Sequence, residues 1–194
     1  MLSGLVISAA AQLAFSYFYF GRDVMQNYAE ILLRSARNPA STELIFSPIQ
    51  MHSLHSFWEL LIPSHAIVAT LYILSSLIVI AIATTIWKSS SPLVIRFSAL
   101  LIAAVLVNPH LYIYDLLALA PIFLLLTDWS LRNALASPAL RVLLYLPFLL
   151  PLFGPVARWT HLQLSVIAFA ALLWTLHRIA TRGHKLASVQ SRVV

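Results

Sequence analysis

The sequence predicts an all-α fold: a polytopic membrane bundle of about six transmembrane helices with short interfacial amphipathic helices. Three observations predict it. First, 61% of the 194 residues are hydrophobic and only 9% are charged, where a soluble domain has roughly a quarter of its residues charged. Too few polar groups remain to cover a surface facing water, so most of the solvent must be lipid. Second, six stretches approach the ~20 mostly apolar residues that a spanning helix needs: about 2–20, 65–87, 93–107, 109–128, 140–153 and 162–179. Third, none of them alternates apolar with polar residues, which argues against a barrel.

Each element has its own signature. The stretch 2–20 lacks a basic start and is long for a signal peptide, so it reads as a span. Residues 21–64 then form one extracytoplasmic loop with two interfacial helices. In the first, Val24, Met25, Tyr28, Ile31 and Leu32 share a side, and Asp23 with Gln26 three residues on resembles a capping box. The second is "SPIQMHSLHSFWELLIP", Ser47 to Pro63. On a helical wheel His52, His55 and Glu59 fall in a stripe about 60° wide, with Met51, Leu54, Phe57, Trp58 and Leu61 opposite. Spans 65–87 and 93–107 follow. Asn108-Pro109 reads as an N-cap with proline at the first helical position, opening the fourth span at the outer boundary. Pro121 would kink that span. Spans 140–153 and 162–179 close a single membrane domain, 1–194.

Lys and Arg orient the bundle. The tail with Arg178, Arg182, Lys185 and Arg192 is placed in the cytoplasm, as are the loops with Lys88 and Arg132. The outer side then receives Asp23, Glu30, Glu43, Glu59 and Asp115, and the inner side only Asp128. Five of the seven histidines, His52, His55, His65, His110 and His161, also fall at or near the outer face. Titratable chemistry is concentrated on one side of the membrane. Arg22, Arg34 and Arg37 lie there against the rule, where an anionic head group could meet them; Arg22 and Arg158 are cations at the outer membrane edge.

Several function classes drop out. The net charge of +6 is spread between apolar runs as topology signals and lipid partners are, so no nucleic acid is expected. Absence of cysteine removes disulfide and thiolate chemistry. Four glycines, with no GxGxxG or Walker pattern, argue against a nucleotide fold, and neither GxSxG nor HExxH occurs. Trp58, Trp87, Trp129, Trp159 and Trp174 mostly fall near span ends, as interfacial aromatics do.

Asp115 is the residue that most needs an explanation. In "VLVNPHLYIYDLLALAP" it falls about 8 Å below the expected helix start, at 1.5 Å per residue. An ionised carboxylate there costs a few kcal/mol unless paired or wetted. It is either a packing hydrogen bond to a neighbouring helix or part of the wall of a water-filled cavity. His110 and Tyr114, four apart, share its neighbourhood, and the expected helix N-terminus offers an anion seat. For His52, His55 and Glu59 the readings are a solvated face, contact with a phosphate or sugar, or a metal. The spacing lacks the helical histidine pair of zinc sites, so no metal is expected.

These residues carry a resemblance. "MHSLHSFWELLIP" followed by a span, then "PLVIRFSALLIAAVLVNPHLYIYDLLALAPIFLLL", resembles the C-terminal half of glycosyltransferase family 87. "PHLYIYD", Pro109 to Asp115, is its most specific part. That family comprises polytopic C-type enzymes, including the polyprenol-phosphate-mannose-dependent mannosyltransferases. The resemblance implies transfer of a hexose, mannose foremost, from a polyprenyl-phosphate donor to a lipid or glycan acceptor hydroxyl at the extracytoplasmic face of a bacterial inner membrane. It implies no cofactor. The family's catalytic acid is expected in the N-terminal half, which this chain lacks, so the chain is expected to be the C-terminal portion of a larger fold, with a separate N-terminal half as a possible partner. The residues that carry over are His52, His55, His110, Tyr114 and Asp115 as donor-phosphate or cavity wall, joined by Arg22 and Arg158 as outer cations; Asp115 and Glu59 are the acid candidates. A small carrier using Asp115, and a non-catalytic scaffold, are the readings of other classes.

Overall fold

The computed structural model describes residues 2–37, 48–133, 138–149 and 158–190. Among them the structure is helical, with one isolated antiparallel bridge, Met51 to Tyr112, and no named strand. Contacts divide the chain into two compact units, Met1–Phe46 and Ser47–Val194.

The first unit is one element, α1 (Leu2–Arg37), interrupted at Gly21 (φ 80°, ψ 169°). That region is essentially open to glycine alone. Asp23 falls in the first turn after the break, where a carboxylate suits the dipole of the second half. Aromatic side chains Phe15, Phe18, Tyr19 and Phe20 are all exposed just before it. A Cβ at Gly21 would meet no atom within 4 Å, so only backbone strain opposes alanine. Gly21→Ala is therefore expected to straighten α1. Spin labels on cysteines at Ser8 and Ala29, in a chain with no cysteine of its own, should then separate to about 31 Å at 1.5 Å per residue. An unchanged separation would contradict this.

The second unit holds α2 (Leu54–Leu61), α3 (His65–Lys88), α4 (Leu93–Val107), α5 (Ala120–Arg132), α6 (Pro138–Leu149) and α7 (Leu164–Gln190), with 3-10 turns at Pro48–Gln50 and Ile113–Leu119. α4 is its centre and packs against α3, α5 and α7. Its small residues Ser98, Ala99 and Ala103 are buried and let neighbours approach closely. Ile95, Ile102 and Leu106 on the same helix meet Ile86, Ile122, Leu126, Phe169, Leu172 and Leu176 in one core. Meanwhile α3 leaves Ile73, Leu74, Leu77, Ile78 and Ile80 exposed. A soluble monomer rarely shows so continuous an apolar face; hydrocarbon covers it at no cost.

Among the described residues, three helices are long and apolar enough to cross a membrane: His65–Lys88, Ile113–Arg132 and Leu164–Thr181. The chain is thus an all-helical membrane protein, with fewer such helices than the six expected. Leu93–Val107 and Pro138–Pro147 are apolar but shorter, and the stretch 2–20 lies within α1. Residues 150–153 of the expected fifth span and Glu43 lie outside the described residues.

The start of the fourth span needs a larger correction. Asn108 does not open a helix; it is the C-cap residue of α4, and its Oδ1 accepts the His110 N–H at 3.1 Å. The chain then turns at Pro109 and His110, is extended at Tyr112, enters the 3-10 turn and becomes α-helical only at Ala120. Pro121 sits in the first turn of α5, where its missing N–H costs nothing, so it produces no kink there. The expected helix N-terminus at Pro109, and the anion seat on it, are absent.

Candidate functional site

The site lies at the end of the second unit where α3 begins, α4 ends and α7 begins. Residues 48–53 cross this end as a strap. The His52 N–H donates to the Leu111 carbonyl at 3.0 Å, beside the Met51–Tyr112 bridge. Gln163 Nε2 donates to the Ile49 carbonyl at 2.9 Å. His52 Nδ1 lies 2.7 Å from Ser165 Oγ; one donates and the other accepts, as the ring tautomer dictates. All three side chains, His52, Gln163 and Ser165, are buried. Burial pushes the His52 imidazole down from 6.5 to about 4, which keeps it neutral at ordinary pH.

This overturns the stripe of His52, His55 and Glu59. Ser53 is the N-cap of α2: its side chain accepts from the Ser56 N–H while Ser56 Oγ accepts from the Ser53 N–H. The helix therefore starts after His52, whose extended backbone sends the ring inward. Ser56 Oγ also donates to the Met51 carbonyl at 3.0 Å, and Ser53 Oγ to the Pro109 carbonyl at 3.3 Å. Sequence reasoning missed these two serines, Ser165, Gln163 and Tyr72. The pair Ser53 and Ser56, three apart before an apolar run, was the available signal for the first two.

α2 lies in the corner between α3 and the end of α4. Trp58 Nε1 donates to Ser75 Oγ at 3.1 Å. His55 sets its ring edge against Tyr72, centroids 5.4 Å apart and planes at 85°. Tyr72 in turn donates its hydroxyl to the Val107 carbonyl at 2.6 Å, satisfying one of the acceptors that a helix end leaves open. On the outer side of this corner His55 Nδ1 lies 3.5 Å from Glu59 Oε2, one helical turn away. Each side chain is about one-third exposed (34% and 31%), so the carboxylate is both oriented and reachable. An imidazole fixed by a packed aromatic and aimed at a half-exposed carboxylate can position it as a proton acceptor.

Asp115 is exposed on the surface of the second unit. Its Oδ2 accepts the Tyr112 N–H at 3.0 Å, capping the 3-10 turn as its third residue. The contact is local, three residues back along the chain, rather than the packing bond to a neighbouring helix that the sequence also allowed. Asp115→Asn keeps an acceptor and is expected to change stability little; Asp115→Leu removes the cap and should cost about 1 kcal/mol. Thermal unfolding in detergent checks both, and equal midpoints for Asn and Leu would refute the cap. Tyr114 is 84% exposed, and His110 and Arg158 are exposed as well. His110 is brought near the strap, since residues 109 and 111 bond to Ser53 and His52. Arg22 belongs to the first unit and is exposed there. Among the described residues no three metal-ligating side chains converge.

Compared with family models, with curated proteins and with solved structures, the chain gives no match.

Proposed function

We propose that this chain is a membrane hexosyltransferase, or the C-terminal portion of one, acting on a polyprenyl-phosphate sugar at the extracytoplasmic face. Mannose is the first sugar to test and a bacterial inner membrane the expected setting. The observation that carries the reading is the His55–Glu59 pair, held half-exposed by Tyr72 at one end of a membrane bundle. Glu59 would take the proton of an acceptor hydroxyl. That oxygen then bonds to the anomeric carbon, the bond from that carbon to the phosphate oxygen breaks, and polyprenyl phosphate leaves with the electron pair. His110 and Arg158, exposed on the same end of the chain path, suit the departing phosphate.

Placement of charge supports the sidedness. In the second unit Lys88, Arg96, Arg132, Arg141 and Arg178 sit at the opposite end of the helices, with Arg158 alone on the site's side among the described residues. Six spans, if α1, α4 and α6 each cross, give the same orientation. Asp115, third in its apolar helix rather than halfway along it, is poorly placed as the mid-membrane charge of a carrier. Membranes carrying the chain, alone and with an N-terminal half supplied in trans, should move label from polyprenyl-phosphate mannose to a lipid or glycan acceptor. Absence of transfer from any polyprenyl-phosphate hexose in both preparations would end this reading.

A further inference from the structure

At the opposite end, next to the turn between α3 and α4, stands a cation that no carboxylate among the described residues neutralises. Arg96, in the first turns of α4, is half-buried and stacks its guanidinium carbon 5.7 Å from the centroid of Trp87. Its Nε is fully buried and meets no hydrogen-bond partner among the described residues. No described carboxylate pairs with it. Asp128, the acid at this end of the second unit, is already held by Arg132 at 2.8 Å through two nitrogens. A half-buried guanidinium without an anion is costly unless something outside the chain supplies one.

The surroundings specify what that is. Lys88 is exposed at the last turn of α3, one residue from Trp87. Ser89 Oγ donates its proton to the Ile86 carbonyl at 2.7 Å and accepts from Ser91 Oγ at 2.9 Å, which fixes the turn between the two helices. Pro92 caps α4 without a side-chain bond, so that helix start adds a positive dipole end. Two cations and an interfacial tryptophan therefore flank one turn at the end of a membrane-spanning helix. We propose that the α3–α4 turn seats the phosphate of an anionic phospholipid, held by Arg96 and Lys88 with Trp87 at the head-group level. A bilayer leaflet necessarily surrounds this end of His65–Lys88, so the partner is present at high local concentration. Arg96 presents its planar fork to phosphate oxygens, a geometry a lysine cannot reproduce. This site is independent of the sugar-transfer reading, since it lies at the other end of the helices.

The test uses the full chain in phosphatidylcholine nanodiscs doped with brominated phosphatidylglycerol or, separately, brominated phosphatidylcholine, with tryptophan quenching as readout. Trp87→Phe isolates the contribution of Trp87. The anionic lipid is expected to associate about 25-fold more strongly than the zwitterionic one, about fivefold for each of the two basic side chains. Arg96→Gln and Lys88→Gln should each remove most of that preference, and Arg96→Lys should restore only part. Equal quenching by the two lipids overturns the proposal. So does a preference that survives both glutamine variants; Lys88 is exposed, so its variant reads the site even where Arg96→Gln fails to fold. Displacement of the brominated phosphatidylglycerol by inorganic phosphate would assign the seat to a free anion instead and equally overturn the lipid.

Discussion

Between pH 6.5 and pH 4 the protein is expected to lose about 3 kcal/mol of stability, and replacing His52 by glutamine should abolish most of that loss. The folded imidazole titrates near 4 and the unfolded one at 6.5. Within that window the unfolded chain binds the extra proton, so stability rises with pH and is complete above 6.5. As pH falls the deficit begins at 6.5 and is fully developed below about 4. A shift of this size corresponds to about 3 kcal/mol at 1.36 kcal/mol per unit. Burial is the cause: the ring sits inside the strap with Ser165 as its side-chain partner, and a charged ring cannot be solvated there. At neutral pH His52→Ala should itself cost about 2–4 kcal/mol, through a void and an orphaned Ser165 hydroxyl. Ser165→Ala should cost less, and the double variant less than the sum of the singles, because both remove one contact. Unfolding midpoints in detergent across pH decide the matter. Parallel pH curves for the wild type and His52→Gln would show that the imidazole is not the group responsible.

Glu59→Gln carries the other large effect. If Glu59 accepts the acceptor's proton, the amide removes the base while keeping shape and the capacity to hydrogen-bond. Turnover should fall by about 10²–10⁴-fold with the donor KM little changed. His55→Gln acts through Glu59 and through the Tyr72 ring, so its loss should be smaller and should alter the pH profile of turnover. Asp115→Asn should leave turnover near wild type, because Asp115 caps a 3-10 turn. Full activity in Glu59→Gln would move the base elsewhere and remove the residue on which the transferase mechanism turns.

These two histidines show how far the sequence reaches. His55 and Glu59 are both inside α2, so a wheel with a turn of 3.6 residues placed them on one face and the structure keeps them there. His52 was assigned to the same face only because the helix was drawn from Ser47. The Ser53 cap starts it later, and the bridge from Met51 to Tyr112 holds residue 52 extended. A helical period says nothing about a side chain on extended backbone. Asn108-Pro109 failed for a related reason: asparagine followed by proline ends a helix as readily as it begins one. Only the antiparallel bridge from Met51 to Tyr112, with the His52 N–H on the Leu111 carbonyl, settled which.

Composition and the run lengths of apolar residues were sufficient to determine the solvent: hydrocarbon must cover what so few charges cannot, and α3 alone leaves six large aliphatics facing outward. They were sufficient, too, for helices over strands and for the concentration of basic residues at one end of the second unit. Which polar side chains face inward was decided by tertiary structure. The partners of His52, Tyr72 and Trp58 lie 113, 35 and 17 residues away, and no local periodicity encodes a bond across such separations. Such bonds form when helices dock, because a buried donor or acceptor must find whatever partner the packing brings within reach.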